Sequence, residues 1–250
     1  MLSALRLAVM SELAIGAERR GEHGEAERMT RETLGSLLAL RGETHFETLR
    51  EMGKLASLLM GPHTTEADKV AEGYETYLRV LELKTRTFGE RHPSALHTRG
   101  ELGMHLARRG RLVEAEPHLR AVYDGRVEML GQAHPDALRS LDHVALCISD
   151  QGRHGEAESL HRQAHAMCIA TCGVSHPQTL TVLHNLGVDL RRQGRHVEME
   201  PLYREALDTV LALPGTAAER ILQDMGQLLH EEKLRRGPPV AAASRAPHMV

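Results

Sequence analysis

The sequence repeats every 42 residues, and this period restricts the fold more than any other feature of the chain. His92-Pro93, His134-Pro135 and His176-Pro177 recur at that interval. A Gly-Arg pair follows each His by 18 residues, at Gly110-Arg111, Gly152-Arg153 and Gly194-Arg195. Then comes Glu-x-Glu, at Glu114/Glu116, Glu156/Glu158 and Glu198/Glu200. Three marks in one register predict a stacked array, in which each unit buries its apolar face only against its neighbours.

Composition narrows the type of array. The 250 residues are 41% hydrophobic but contain no Trp, two Phe and four Tyr. A core of Leu, Val, Ala and Met suits helix-on-helix packing better than a sheet. The net charge of −3 gives no bulk attraction to nucleic acid, and six aromatics offer few stacking platforms for bases. No apolar run reaches the roughly 20 residues of a membrane span. The mildly apolar Met1–Ala17 stretch fits the repeat register over Leu5–Arg20, so we read it as a helix rather than a leader. Three cysteines, an odd number in a chain of this size, predict free thiols and a reducing, cytoplasmic setting.

Within each repeat the spacing predicts two antiparallel helices. In the unit beginning at His176, Leu180, Leu183, Leu186, Gly187 and Leu190 form one helical face. Pro177 suits the first turn, and Gly194 after Arg191-Arg192-Gln193 marks a cationic helix end. Glu198 and Glu200 open the second helix, where the dipole favours acidic residues. That helix continues through Met199, Leu202, Tyr203, Ala206 and Val210. Arg126 breaks the pattern, since it falls where Val210 sits. A unit beginning near His45 has Phe46 in place of proline and five extra residues, placed in a longer loop at Gly61–Thr65. The prediction is five helix pairs, at 1–41, 42–88, 89–130, 131–172 and 173–214. A capping helix at 216–236, carrying Ile221, Leu222, Met225, Leu228 and Leu229, makes about eleven helices. A tail at 237–250 is expected to be disordered.

Small residues recur where paired helices must approach, at Ala14, Ala56, Gly103, Ala145 and Gly187 and at Ala26, Gly73, Ala115 and Ala157; Met199 departs from the set. With the Leu130-Gly131-x-x-His134-Pro135 linkers and the Gly152-Arg153-x-x-Glu156-Ala157-Glu158 turns, the chain resembles the tetratricopeptide repeat, in the 42-residue variety of kinesin light chains. The resemblance implies an all-α, right-handed superhelical solenoid of antiparallel helix pairs. It also implies a non-catalytic scaffold or adaptor that binds a peptide or protein segment in its concave groove. In that repeat class an Asn on the first helix clamps the bound backbone. Only Asn185 matches; Glu12, Lys54, Glu101, His143 and Gln227 stand at the other positions. Related arrays sit behind signalling NTPase modules, so a regulatory region of a larger protein is the alternative. No phosphate-binding glycine loop is present in this chain.

By register with the repeat class, the groove lining is expected to include Arg108, Arg139, His143, Leu146, Thr181, His184, Asn185, Val188, Arg191 and Arg192, with Asp142 among them and with His97, Glu101 and Met104 extending it upstream. Arginines in such a groove would pair with carboxylates, predicting a protein or peptide partner of acidic character. Neither nucleic acid nor membrane is expected as a partner. No cofactor and no catalytic residue set is predicted. His161, His165, Cys168 and Cys172 share one helical face and are residues that can ligate zinc. However, eleven residues of helix rise about 16 Å against metal bonds of about 2 Å. His161 also occupies a core position held by Tyr77, Leu119 and Tyr203 elsewhere, so packing is predicted there and no metal site.

Overall fold

The computed structural model describes residues 2–211 and 219–236. Among these residues there are eleven helices and no strand. The expected breaks at Pro214-Gly215 and the tail at 237–250 lie outside the described residues, as do the side chains of Val210 and Ile221. The chain divides into two compact units, Met1–Arg153 and His154–Val250.

The first unit holds α1 (Leu2–Arg19), α2 (His23–Arg41), α3 (Phe46–Leu59), α4 (Ala67–Phe88), α5 (Pro93–Arg108), α6 (Leu112–Leu130) and α7 (Pro135–Asp150). Each helix packs on the next, and α3 also touches α5. Small residues set the approach within pairs. A Cβ at Gly73 would stand 2.8 Å from the Leu59 Cβ, and one at Gly103 2.9 Å from Leu119 Cδ2. Ala26, Ala56 and Ala115 are fully buried at the corresponding places.

The recurring histidines cap helices. Nδ1 of His45, His92 and His134 accepts the N–H of Glu47, Ser94 and Asp136 at 3.3, 3.2 and 3.1 Å. An accepting Nδ1 carries no proton, so the His92 and His134 rings are held as the Nε2–H tautomer. The cap satisfies one of the N–H groups that every helix start leaves open. Pro93 and Pro135 follow directly, where no N–H is needed. Phe46 replaces the proline without loss of the cap.

Helices α5 and α7 end in one way. At Gly152, whose φ is 83°, α7 stops and Arg153 N–H bonds Ile148 O at 3.2 Å. This six-to-one bond and the left-handed glycine make a Schellman stop, repeated at Gly110, where Arg111 N–H bonds Leu106 O at 3.0 Å.

The α3–α4 connection, residues 60–66, is the longest in the first unit. It is held by α5 and its end. The Arg109 guanidinium donates to the carbonyls of Met60, Gly61 and Thr64 at 3.2, 2.7 and 2.8 Å.

Glu116 on α6 accepts Gln151 Nε2 at 2.8 Å, Arg153 at 2.6 Å and Arg120 at 2.8 Å. The second acid of Glu-x-Glu is therefore a clasp onto the turn of the following repeat. The helix dipole invoked from the sequence is only part of its role.

The second unit holds α8 (His154–Cys172), α9 (Pro177–Arg192), α10 (His196–Leu211) and α11 (Glu219–Arg236). The clasp recurs: Glu158 accepts Gln193 at 2.9 Å, Arg195 at 2.5 Å and Arg162 at 2.8 Å. His176 caps α9 as its counterparts do, accepting Gln178 N–H at 3.2 Å. Tyr203 of α10 is fully buried over Gly187, where a Cβ would lie 2.1 Å from its hydroxyl oxygen. α11 packs on α9 and α10. Its Leu222 and Met225 join Leu180, Leu183, Leu186, Leu190 and Met199 in the core. None of the described helices is long and apolar enough to cross a membrane.

Candidate functional site

The first unit holds an open cavity of about 750 Å³, within the ~300–1,000 Å³ common for ligand sites. The first helices of successive pairs supply most of its wall: Glu18 from α1, Ser57 from α3, and Arg139, Ser140 and His143 from α7. From α5 come His97, Glu101, Met104, His105 and Arg108. Leu119 and Val122 of α6 give it an apolar floor, with Arg126 beside them. Of the residues expected from the sequence, Arg108, Arg139, His143, His97, Glu101 and Met104 meet here. Leu146 is half-buried on α7 but does not line the cavity.

The long loop closes one end. His63 stacks on His23 of α2, with ring centroids 3.6 Å apart and planes 3° from parallel. His105 donates from Nδ1 to the Met60 carbonyl at 3.2 Å and accepts the Ser57 hydroxyl through Nε2, also at 3.2 Å. Burial lowers the pKa of His105, and the nearby Arg108 lowers it further. Burial also lowers that of His143; Asp142 opposes this, while Arg139, Arg126 and Arg108 add to it. His143 thus lies within the field of three arginines. Among these, Arg139 pairs with Asp136 and Arg126 bonds Ser140.

A second cavity of about 280 Å³ shares Glu18, Ser57, His97 and Glu101 with the first. It adds Arg50 and Lys54 from α3 and Lys84 from α4. Six cations and two carboxylates line the combined groove. Sequence reasoning missed Lys84, His23, His63 and Ser57. It noted Arg126 only as a break in the apolar pattern.

In the second unit, Thr181, His184, Asn185 and Val188 are half-buried along α9, and Arg192 is exposed. Tyr203 donates its hydroxyl to the His184 carbonyl at 2.8 Å. Burial lowers the pKa of the His184 ring. Arg191 stands 3.7 Å from Glu231 of α11, so the capping helix shares this cation.

The His/Cys face of α8 is divided. His161 is fully buried and its Nδ1 lies 2.6 Å from Asp189 Oδ2. Cys168 is buried, whereas His165 borders a small apolar pocket with Ile169, Val174 and Leu183. Among the described residues no three His, Cys, Asp or Glu side chains converge as a metal site.

Family models of the tetratricopeptide repeat match residues 95–136 and 136–212. The nearly identical TPR-like repeats of a Podosopora anserina protein named as a kinesin light chain superpose with a TM-score of 0.71 at 25% identity, covering 80% of this chain and 92% of that one. BtubC (BKLC) from P. vanneervenii gives 0.66 at 18% identity, covering 85% and 84%. A Rap protein complexed with Competence and Sporulation Factor gives 0.59 at 14% identity, covering 92% of this chain and 65% of that one. Among curated proteins, none matches the sequence.

Proposed function

The chain is a tetratricopeptide-repeat protein with repeats of the kinesin-light-chain kind, and we propose that it is a non-catalytic scaffold that holds an acidic protein segment in the groove of its first unit. The groove itself carries this reading: six cations face two carboxylates around a space large enough for several side chains. Arg108 makes no ion pair among the described residues and is exposed at the mouth. Glutamate or aspartate of a partner would gain charge-assisted bonds there, and Met104, Leu119 and Val122 would take an apolar anchor. On α9, Asn185 and His184 would bond the backbone of a segment bound there, with Val188 taking an apolar contact. A cytoplasmic setting is part of the proposal, supported by free thiols at Cys147, Cys168 and Cys172.

The similarity to a Rap protein solved with Competence and Sporulation Factor, and to a Rap conjugation gene regulator solved with the Phr* peptide, supports a second reading, a regulatory region that senses a peptide on behalf of a module elsewhere. Affinity capture from the source lysate tests the groove. A discrete acidic partner should be retained by wild type and lost by Arg108→Glu/Arg139→Glu. Equal retention by both proteins would place binding elsewhere.

A further inference from the structure

Lys84 on α4 and Arg126 on α6 stand one 42-residue period apart and make the same contact twice. Lys84 Nζ donates to Thr98 Oγ1 at 2.8 Å and to the Ser94 carbonyl at 3.4 Å. Arg126 Nη1 donates to Ser140 Oγ at 2.7 Å and to the Asp136 carbonyl at 3.2 Å. Donors and acceptors are offset by the same period. In each case a second-helix cation reaches into the first helix of the next repeat.

Among the described residues neither cation has a carboxylate within ion-pair distance. The nearest acids that act on them, Glu101 and Asp136, are engaged by His97 at 3.5 Å and by Arg139. Burial lowers the pKa of both cations, Lys84 being only 8% exposed. Taking a cation out of water without a counter-ion is costly. Packing does not require one here, since Cys168 fills the same register position in the second unit and is fully buried. What distinguishes Lys84 and Arg126 is that each lines a groove cavity. Each also keeps donor capacity: one ammonium hydrogen on Lys84, and the Nε and Nη2 hydrogens of Arg126.

We propose that Lys84 and Arg126 are two rungs of a ladder that reads two carboxylates of the bound segment, one per repeat. The inference rests on the groove reading above and deepens it, since it fixes the spacing of the partner's acids to the repeat of the array. The bound carboxylates are the counter-ions that the fold itself does not supply. The neutral acceptors Thr98, Ser140 and the two carbonyls hold each cation in place before binding.

The test compares labelled octaglutamate with octaglutamine by fluorescence anisotropy at low salt, alongside thermal unfolding. Lys84→Met and Arg126→Met should each unfold at the wild-type temperature or higher, because a buried (Lys84) or half-buried (Arg126) cation without a paired carboxylate is removed. Each should weaken octaglutamate binding about tenfold, as expected for loss of a close charge pair. Lys84→Gln and Arg126→Gln keep a polar contact to the hydroxyls but no charge, and should lose affinity equally. Variants that unfold earlier yet bind octaglutamate as wild type does would make the two cations structural struts and overturn the ladder while leaving the groove reading intact. Wild type that does not prefer octaglutamate to octaglutamine would overturn both.

Discussion

Replacing Glu158 with Gln should weaken the joint between α8 and the α9–α10 turn far more than its place in an exposed-looking Glu-x-Glu motif suggests. The carboxylate side chain is only 10% exposed and accepts three bonds, two of them from arginines. A charge-assisted bond contributes about 1.5–3 kcal/mol, and breaking a buried pair costs up to about 3–5 kcal/mol. The arginines moderate this. Arg162 and Arg195 are 44% and 39% exposed and both also reach Glu198, so they recover water and a second partner. We expect a loss of about 2 kcal/mol, between the surface and buried limits. Arg195 supplies an internal standard, since it meets Glu158 at 2.5 Å and the more exposed Glu198 at 2.6 Å. Double-mutant cycles should give a coupling of about 1–2 kcal/mol for Arg195 with Glu158 and below about 1 kcal/mol for Arg195 with Glu198. Because arrays need not unfold in one step, hydrogen exchange of the Gly194 and Arg195 amides is the local readout beside urea denaturation. Equal couplings for the two carboxylates would refute the clasp as a buried joint.

Three further outcomes follow from the packing and the histidines. Gly187→Ala forces a Cβ to 2.1 Å from the Tyr203 hydroxyl, so thermal unfolding should show a loss of about 2–3 kcal/mol; a change under about 0.5 kcal/mol would contradict that approach. His134→Ala removes the acceptor for Asp136 N–H and should cost about 1 kcal/mol in urea, with His134→Asn recovering most of it. Burial lowers the pKa of His63, His105, His118, His143, His165 and His184. The folded state therefore binds fewer protons than the unfolded one, so stability is full above the unfolded histidine value of about 6.5 and falls as pH drops through it. A urea midpoint unchanged between pH 7.5 and pH 5.5 would contradict this.

The helices were legible because their signals are local. His-Pro starts, Gly-Arg stops and Leu spacing lie within one turn of the elements they define, and the capping helix showed its own apolar face. The long loop was legible too, since five surplus residues had to leave the register near Gly61. The clasps were not. Glu116 and Glu158 meet partners 35 and 37 residues further on, and nothing local distinguishes a clasped acid from one that only favours the dipole. The histidines that precede the prolines were expected in the turns, but their role as Nδ1 acceptors depends on a ring rotamer. In the groove, register placed Arg108, Arg139 and His143 on the inner face. It omitted Lys84 and Arg126 because second-helix residues were assigned to the core. The signal was present in Arg126 breaking the apolar pattern and in Lys84 one period before it.

The central claim is that an acidic segment occupies the groove of the first unit. Methyl NMR of the full chain titrated with octaglutamate tests it most directly. Met104 and Val122 line the cavity, whereas Val113 and Val197 are 79% and 75% exposed and do not line it. Saturable shifts are expected at Met104 and Val122, with Val113 and Val197 unmoved. Shifts confined to the exposed valines, or no shifts at any methyl, would contradict it.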